Sequence, residues 1–176
     1  MTDYTLQPIP GKTLSRRLPE GTALVLEGGG LRGYYSCGVM EVFMEKDLLF
    51  PYIIGVSAGA ANALSYISGQ PGRSREIIEH YVGNPDYVST RNLLTKHTMF
   101  DFDYIFGTVP EKHIFFDWDK FHEQDTRFLT GAMNCADGKT VWFEKDTLKA
   151  PFMASRASCS VPLITKIQHY MGYDLL

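Results

Sequence analysis

The stretch Gly28–Gly33, GGGLRG, follows a short apolar run and opens the part of the sequence that decides the fold. Gly28, Gly30 and Gly33 fit the spacing G-x-G-x-x-G, which in dinucleotide-binding proteins lays a pyrophosphate on the N-terminus of a helix. The same glycines, together with Arg32, could bind another negatively charged group. The residues on both sides of the loop have to decide which group that is.

Apolar residues around this loop predict alternating strands and helices. Thr22–Leu26, TALVL, is a continuous apolar run of the kind found in strands buried on both faces. A helix is predicted from Gly33 to Leu48, then a strand at Tyr52–Ile54 and a helix at Ala58–Ile67. Strand, helix, strand, helix in this order predicts right-handed crossovers and a parallel sheet, the α/β class. Four apolar residues mark the expected buried face of the first helix: Val39, Val42, Phe43 and Leu48.

Further helices and two hairpins are predicted downstream. The helices are expected at Arg73–Val82, Asp119–Gln124 and Asp146–Ala157. The hairpin strands are expected at Arg127–Cys135 with Lys139–Glu144, and at Ile164–Tyr170 with Tyr173–Leu176. The segment Asp101–Phe116 mixes aromatic and charged residues without a clear period, so no element is predicted there.

The segment Gly55–Gly59, GVSAG, supplies a second motif. It fits G-x-S-x-G and lies where a predicted strand turns into a predicted helix, the context in which a sharp turn exposes a nucleophilic serine. The small residues that follow let the helix lie close to the sheet, and its N-terminus presents free N–H groups near Ser57. Ser57 is therefore the candidate nucleophile.

The second strand decides what the glycine loop binds. A dinucleotide site needs an acidic residue about 20 residues beyond the loop, and no Asp or Glu occurs from Leu48 to Ser74. A phosphate-binding P-loop is excluded because no Gly-Lys-Ser or Gly-Lys-Thr follows the glycines. Both turns should meet at the carboxyl edge of the sheet. We therefore expect the amides of Gly29 and Gly30, with the charge of Arg32, to stabilise the oxyanion formed when Ser57 attacks an ester.

These motifs resemble those of the patatin-like phospholipases. Gly28–Gly33 is similar to the family's G-G-G-x-R-G oxyanion loop, and Gly55–Gly59 is similar to its nucleophile elbow. The stretch 157–163, ASCSVPL, resembles the helix end before the family's last catalytic strand. The resemblance covers residues 22–176, after an N-terminal extension of residues 1–21. It implies a three-layer α/β/α fold with a central mostly parallel sheet, lipid acyl hydrolase activity, and no metal or other cofactor.

The resemblance also implies a Ser-Asp dyad, and the aspartate has no match in this chain. In the family it belongs to a D-G-G or D-G-A motif after the final strand. Asp137-Gly138 is followed by Lys139 inside a predicted hairpin and reads as a turn, and Asp174 is followed by two leucines. We therefore expect the dyad aspartate just after Leu176. The domain is then truncated at its C-terminal end, and this chain should be nearly inactive.

Two alternatives remain open at this stage. A Ser-Asp-His triad in the chain order of α/β-hydrolases would use His169 as the base. From a different class, the chain could be a noncatalytic acyl- or lipid-binding module, which the missing aspartate favours. The oligomeric state is not predicted.

The charge, the cysteines and the N-terminus limit the classes of partner and the compartment that can be expected. The net charge is −3 and no basic run occurs, which argues against nucleic acid. The three cysteines show no C-x-x-C spacing, so reduced thiols are expected in place of disulfides or a metal site. The polar N-terminus lacks the apolar region of a signal peptide, which predicts a cytoplasmic protein.

Two stretches of the sequence raise the question of contact with a membrane. Leu48–Gly72 carries no charge and is long enough for a membrane span, but its glycines, proline and polar residues favour a buried strand, turn and helix. The aromatic-rich stretch Phe100–Trp118 is expected either to pack in the core or to cover the acyl pocket and touch a bilayer as a peripheral contact. The expected partner is a lipid or fatty acyl ester substrate.

Overall fold

The computed structural model describes residues 8–176. The strands are β1 (Arg16–Arg17), β2 (Ala23–Leu26), β3 (Leu48–Leu49), β4 (Tyr52–Gly55), β5 (Arg127–Met133), β6 (Thr140–Glu144), β7 (Gln168–Tyr170) and β8 (Tyr173–Leu175). The α-helices are α1 (Gly33–Glu45), α2 (Ala58–Ile67), α3 (Arg73–Tyr81), α4 (Thr90–Lys96), α5 (Trp118–Glu123) and α6 (Met153–Ser158). Short 3₁₀ turns lie at Gly30–Arg32 and Lys145–Thr147, and a π-helix lies at Tyr104–His113.

The central sheet has four strands in the order β2-β4-β5-β6. Strands β2, β4 and β5 are parallel, and β6 pairs antiparallel with β5. The predicted α/β class with a mostly parallel sheet is confirmed. Gly55 at the end of β4 pairs with Leu26 on one side and Thr130 on the other, so the turn after β4 lies at the carboxyl edge of the sheet.

The uncharged stretch 48–72 forms β3, β4 and α2, as predicted from its interrupted composition. Ile53, Ala60, Ala63 and Ile67 are fully buried in the core. Within residues 8–176 no helix is both long and apolar enough to cross a membrane.

The prediction that the first strand is buried on both faces is wrong. Leu26 is buried, but Val25 is 68% exposed and Ala23 is exposed as well. β2 forms one edge of the four-stranded sheet, and no described element covers the face on which Ala23 and Val25 lie.

The predicted buried face of α1 is also partly wrong. Val39 and Val42 are 37% and 49% exposed, and the buried residues are Gly33, Cys37, Met40 and Met44. A β-carbon on Gly33 would lie 3.0 Å from Nδ2 of Asn62 and 3.2 Å from Cβ of Ala58. This close approach to α2 sets the rotation of α1 about its axis, which the spacing of apolar residues alone does not.

The helix predicted over Asp146–Ala157 is shorter than expected. A 3₁₀ turn ends at Thr147, and α6 begins only at Met153. Pro151 has no amide N–H, and Phe152 adopts a left-handed conformation with φ of 62°, so the chain is not helical between the two elements. Neither the π-helix nor α4 was predicted; Ser89 caps α4 by accepting a hydrogen bond from the amide of Asn92 at 3.1 Å.

Part of the predicted N-terminal extension packs on the domain. Leu14 is 2% exposed within the core, and β1 pairs in parallel with β3. Residues 1–7 of the extension lie outside the described residues. The boundary at residue 22 stays a prediction.

Candidate active site

Ser57 occupies the sharp turn between β4 and α2. Its backbone has φ of 55° and ψ of −126°, a conformation that residues with a side chain rarely adopt. Such strained residues cluster at functional sites, where the surrounding structure holds them in place. The local geometry is that of a nucleophile elbow.

The glycines around Ser57 are required by close contacts. A β-carbon on Gly59 would lie 2.3 Å from the carbonyl oxygen of Leu26, closer than any side chain can approach. A β-carbon on Gly28 would lie 3.0 Å from Cβ and 3.6 Å from Oγ of Ser57. The glycine loop after β2 and the elbow after β4 therefore meet beside the Ser57 hydroxyl.

Three amides near Ser57 are free to bind an anion. Within residues 8–176 the N–H groups of Gly29 and Gly30 donate no hydrogen bond, and neither does that of Ala58, which directly follows the serine. Ala58 also begins α2, whose N-terminus carries the positive end of the helix dipole. The sequence prediction included Gly29 and Gly30 but not Ala58, although its place next to the nucleophile is the usual signal.

Arg32 lies close to the glycine loop. Its Nε would be 3.3 Å from a β-carbon placed on Gly29, and its side chain forms no ion pair with the part of the chain that the structure describes. The positive charge of Arg32 is therefore available next to the free amides.

Ser57 opens on an apolar cavity of about 410 Å³. Gly30, Ser57 and Ala58 line one part of it, and aliphatic or aromatic side chains form most of the rest. The walls come from α2, α3, the π-helix and the segment before it: Ala61, Leu64, Ile77, Ile78, Val82, Val88, Phe100, Phe102, Ile105 and Phe106. The aromatic-rich stretch thus contributes both to the core and to this cavity, while Phe115 is 54% exposed.

The last residue of α6 contacts the backbone of Ser57. The Ser57 amide donates a hydrogen bond of 2.8 Å to Oγ of Ser158. Cys159 lines the cavity, and burial raises the pKa of its thiol to about 12, while a hydrogen bond with Ser57 acts in the opposite direction. Ser158 and Cys159 belong to the stretch ASCSVPL, but no role was predicted for either of them from the sequence.

No carboxylate or imidazole from the described residues reaches this cavity, whose lining contains no Asp, Glu or His between residues 8 and 176. His169 instead pairs with Asp174, Nδ1 to Oδ1 at 2.6 Å, on the exposed hairpin of β7 and β8. Asp137 lies in the β5–β6 turn, where it accepts hydrogen bonds from Asn134 and from the amide of Lys139. The geometry therefore does not bring His169 or Asp137 to Ser57.

The last residues of the chain run toward the elbow. Met133 exchanges two backbone hydrogen bonds with Leu176, and the amide of Cys135 bonds the carbonyl of Asp174. Successive N–H groups alternate between the two sides of a strand, and the amide of Arg127 bonds Pro51 next to β4. The N–H groups of residues 127, 133 and 135 therefore point to the same side of this segment. Because β4 and β8 both pair on that side, β8 lies in line with β4, beyond its carboxyl end.

The distance along the sheet follows from this register. Leu176 lies opposite Met133, and Gly55 lies opposite Thr130, three residues back along β5. At about 3.3 Å per residue, the backbone of Leu176 is on the order of 10 Å from the end of β4. The chain direction at Leu176 leads toward Ser57.

Together these features define an α/β protein with a candidate serine nucleophile at the carboxyl edge of its sheet. The family model described as patatin-like phospholipase matches residues 24–175, which is most of the chain. The chain belongs to the patatin-like phospholipase family, as its motifs indicated. Membership supports hydrolase activity of the lipid acyl hydrolase superfamily in general.

One curated relative was found. Over 102 residues the chain is 33% identical to the uncharacterized protein YjjU of Escherichia coli (strain K12). The matched region covers 57% of this chain and 29% of that protein. The match thus spans less than a third of the length of this relative.

Proposed function

We propose that this protein is a serine lipid acyl hydrolase that cleaves fatty acyl esters, including phospholipids, through an acyl-Ser57 intermediate. The observation that carries the proposal is the contact of Gly28 with Ser57 beside an apolar cavity of about 410 Å³. The elbow presents a hydroxyl, the loop presents hydrogen-bond donors, and the cavity offers apolar surface to a fatty acyl chain.

The reaction takes two steps. Oγ of Ser57 attacks the ester carbonyl, its proton passes to a base, and the alcohol leaves with a proton to give the acyl-serine. Water then attacks the acyl-serine, which releases the fatty acid and restores the serine. In each step the carbonyl oxygen becomes an oxyanion, which the amides of Gly29, Gly30 and Ala58 bind and the charge of Arg32 stabilises. Loss of one such donor costs about 3 to 4 kcal/mol of transition-state stabilisation.

The base in this proposal is an aspartate that follows Leu176. Two observations support it: the cavity lining within residues 8–176 offers no carboxylate or imidazole, and β8 leads the chain toward Ser57. The contribution of such a residue is expected to be large, because removing one member of a catalytic unit can cost as much as removing all of them.

A fluorophosphonate probe tests the proposal, because it reacts with an activated serine. We expect labelling at Ser57 and hydrolysis of p-nitrophenyl acyl esters in a native form that extends beyond Leu176, and little of either in the 176-residue chain. Ser57→Ala is the control and should abolish both signals. A longer form that neither labels nor hydrolyses any acyl ester would rule the proposal out.

A noncatalytic acyl-binding module is the second candidate. The absence of any Asp, Glu or His from the cavity lining of residues 8–176 favours it. Displacement of a fluorescent fatty acid, with Ser57 unlabelled in the longer form, would support this alternative. The triad that uses His169 is tested by His169→Ala, which should leave the activity of the longer form unchanged if the base is an aspartate.

We also propose a lipid or fatty acyl ester as the partner, with contact at a bilayer surface. Most of the aromatic stretch faces the core or the cavity, which leaves Phe115 as its exposed aromatic side chain within residues 8–176. Cosedimentation with phosphatidylcholine vesicles, compared between the wild type and Phe115→Ser, measures that contact.

A further inference from the structure

The amide of Ser57 is held by a residue 101 positions further along the chain. Oγ of Ser158 accepts its hydrogen bond at 2.8 Å. Ser158 is the last residue of α6 and only 7% exposed, so solvent does not compete strongly for this bond. The bond joins the elbow to the last residue of α6.

This bond satisfies the one backbone N–H donor of Ser57. Ser57 lies two residues after Gly55, the end of β4, and directly before Ala58, the start of α2, so its N–H takes part in neither the strand pairing nor the helical hydrogen bonds. Within residues 8–176 the amide has no backbone acceptor. An unpaired buried N–H is unfavourable, and so is a positive φ in a residue other than glycine. The elbow persists only if neighbouring groups compensate for both costs.

Cys159 extends the same contact to the side chain. It lines the cavity beside Ser57, and burial raises the pKa of its thiol while an interaction with the Ser57 side chain acts to lower it. Ser158 and the residue that follows it therefore both lie next to the candidate nucleophile.

We propose that Ser158 is a positioning residue that fixes the backbone of Ser57 so that its hydroxyl faces the substrate. The inference rests on the proposed function, because positioning matters for catalysis only if Ser57 is the nucleophile. Ser158 touches neither the acyl ester nor the oxyanion; it acts through the Ser57 amide.

Ser158→Ala removes the acceptor, and Ser158→Thr retains a hydroxyl. Ser160→Ala is the matched control: Ser160 is also buried, 9% exposed, but its Oγ donates to the carbonyl of Arg156 at 2.9 Å. In a form extended beyond Leu176, we expect Ser158→Ala to lower kcat and the rate of fluorophosphonate labelling by about 10-fold or more, with KM within about twofold. Ser158→Thr and Ser160→Ala should stay close to the wild type.

Amide hydrogen exchange provides a readout that does not need turnover. In the 176-residue chain the Ser57 amide should be protected, and Ser158→Ala should speed its exchange by about 10-fold or more while Ser160→Ala does not. If the longer wild-type form proves inactive, the proposed function fails, and the exchange measurement still tests the bond.

Three results would overturn the inference. One is equal kcat and labelling in Ser158→Ala and Ser160→Ala. Another is unchanged exchange at Ser57 in Ser158→Ala. The third applies if Ser158→Ala does not fold: a loss of labelling in folded Ser158→Thr would then show that the hydroxyl is not what positions Ser57.

Discussion

Gly28 lies in direct contact with Ser57, although the two residues follow different strands. A β-carbon on Gly28 would come within 3.0 Å of Cβ of Ser57 and within 3.6 Å of its hydroxyl oxygen. Side chains hardly ever approach so closely, so any residue larger than glycine must push the elbow away. The distance between loop and nucleophile is therefore set by the absence of a side chain at one position.

Gly28→Ala tests this relationship. The added methyl group should displace Ser57 by a few tenths of an ångström relative to the free amides and lower fluorophosphonate labelling of the longer form by about 10-fold or more. Gly38→Ala is the control, because a β-carbon there meets nothing within 4 Å. Equal labelling of the two variants would show that the contact is not critical.

The cavity predicts a dependence on acyl chain length. Ile78→Phe adds volume to the wall formed by α3, so hydrolysis of long-chain esters should fall about 10-fold relative to short-chain esters. The ratio of kcat/KM for p-nitrophenyl palmitate and butyrate measures the effect. Leu94→Phe changes a residue that is 81% exposed and should leave the ratio unchanged. The same ratio in both variants would place the acyl chain elsewhere.

Replacement of the buried Arg73 should have a large effect on the stability of the folded protein. Its buried guanidinium donates hydrogen bonds to Oγ of Ser65 and to the carbonyls of Ile114 and Phe115. Arg73→Met leaves these acceptors without a donor, which should lower the free energy of unfolding by about 2 to 4 kcal/mol in urea titrations.

Arg75→Met, two residues along α3, is the control for Arg73. The Arg75 side chain is 56% exposed and lies 3.7 Å from Glu76. Its loss should change stability by less than about 0.5 kcal/mol. Similar stability of the two variants would mean that solvent or rearranged neighbours satisfy the carbonyls near Arg73.

The cysteines should differ sharply in reactivity. Burial raises the pKa of Cys37 to about 11 and that of Cys159 to about 12, so neither forms much thiolate at pH 8. Cys135 is exposed. Iodoacetamide at this pH should alkylate Cys135 in the folded chain and all three cysteines in urea, as measured by peptide mass spectrometry. Alkylation of Cys159 as fast as Cys135 would contradict the packing of α6 against Ser57.

Protonation of Asp101 should lower the stability of the folded protein in acid. Burial acts to raise the pKa of Asp101, but hydrogen bonds from Lys96 and from the amides of Tyr104 and Asp103 lower it overall below the ordinary value of 3.8. A carboxyl group with a lower pKa in the folded state contributes stability above its unfolded pKa and loses it as the pH falls through the folded value.

Asp101→Asn should therefore be less stable than the wild type at pH 6, and the difference should shrink as the pH falls below 3.8. Urea-induced unfolding of both proteins at several pH values in this range measures the difference in stability. Lys96→Met removes one partner of the carboxylate and should show the same trend more weakly. A difference that does not depend on pH would assign the effect of Asp101→Asn to packing alone.

Local sequence signals were enough for several elements. The boundaries of α2, Ala58–Ile67, were predicted as the structure has them. Both hairpins were predicted, but β7 begins at Gln168 where Ile164 was expected, and β5 ends at Met133 where Cys135 was expected. Each depends on residues close together in the chain, such as turn glycines and alternating apolar residues. The elbow at Ser57 belongs to the same group, because G-x-S-x-G encodes its own turn.

Contacts between distant residues could not be predicted in this way. The exposure of Val25 and Val42 depends on which elements cover β2 and how Gly33 packs on α2. The bond from Ser57 to Ser158 and the approach of Leu176 along β5 join residues far apart in the chain. The sequence alone thus determined the family motifs, the α/β class and the sharp turn at Ser57, because these depend on short-range patterns. Only the tertiary structure decided what surrounds Ser57, because that depends on how separate elements pack in space.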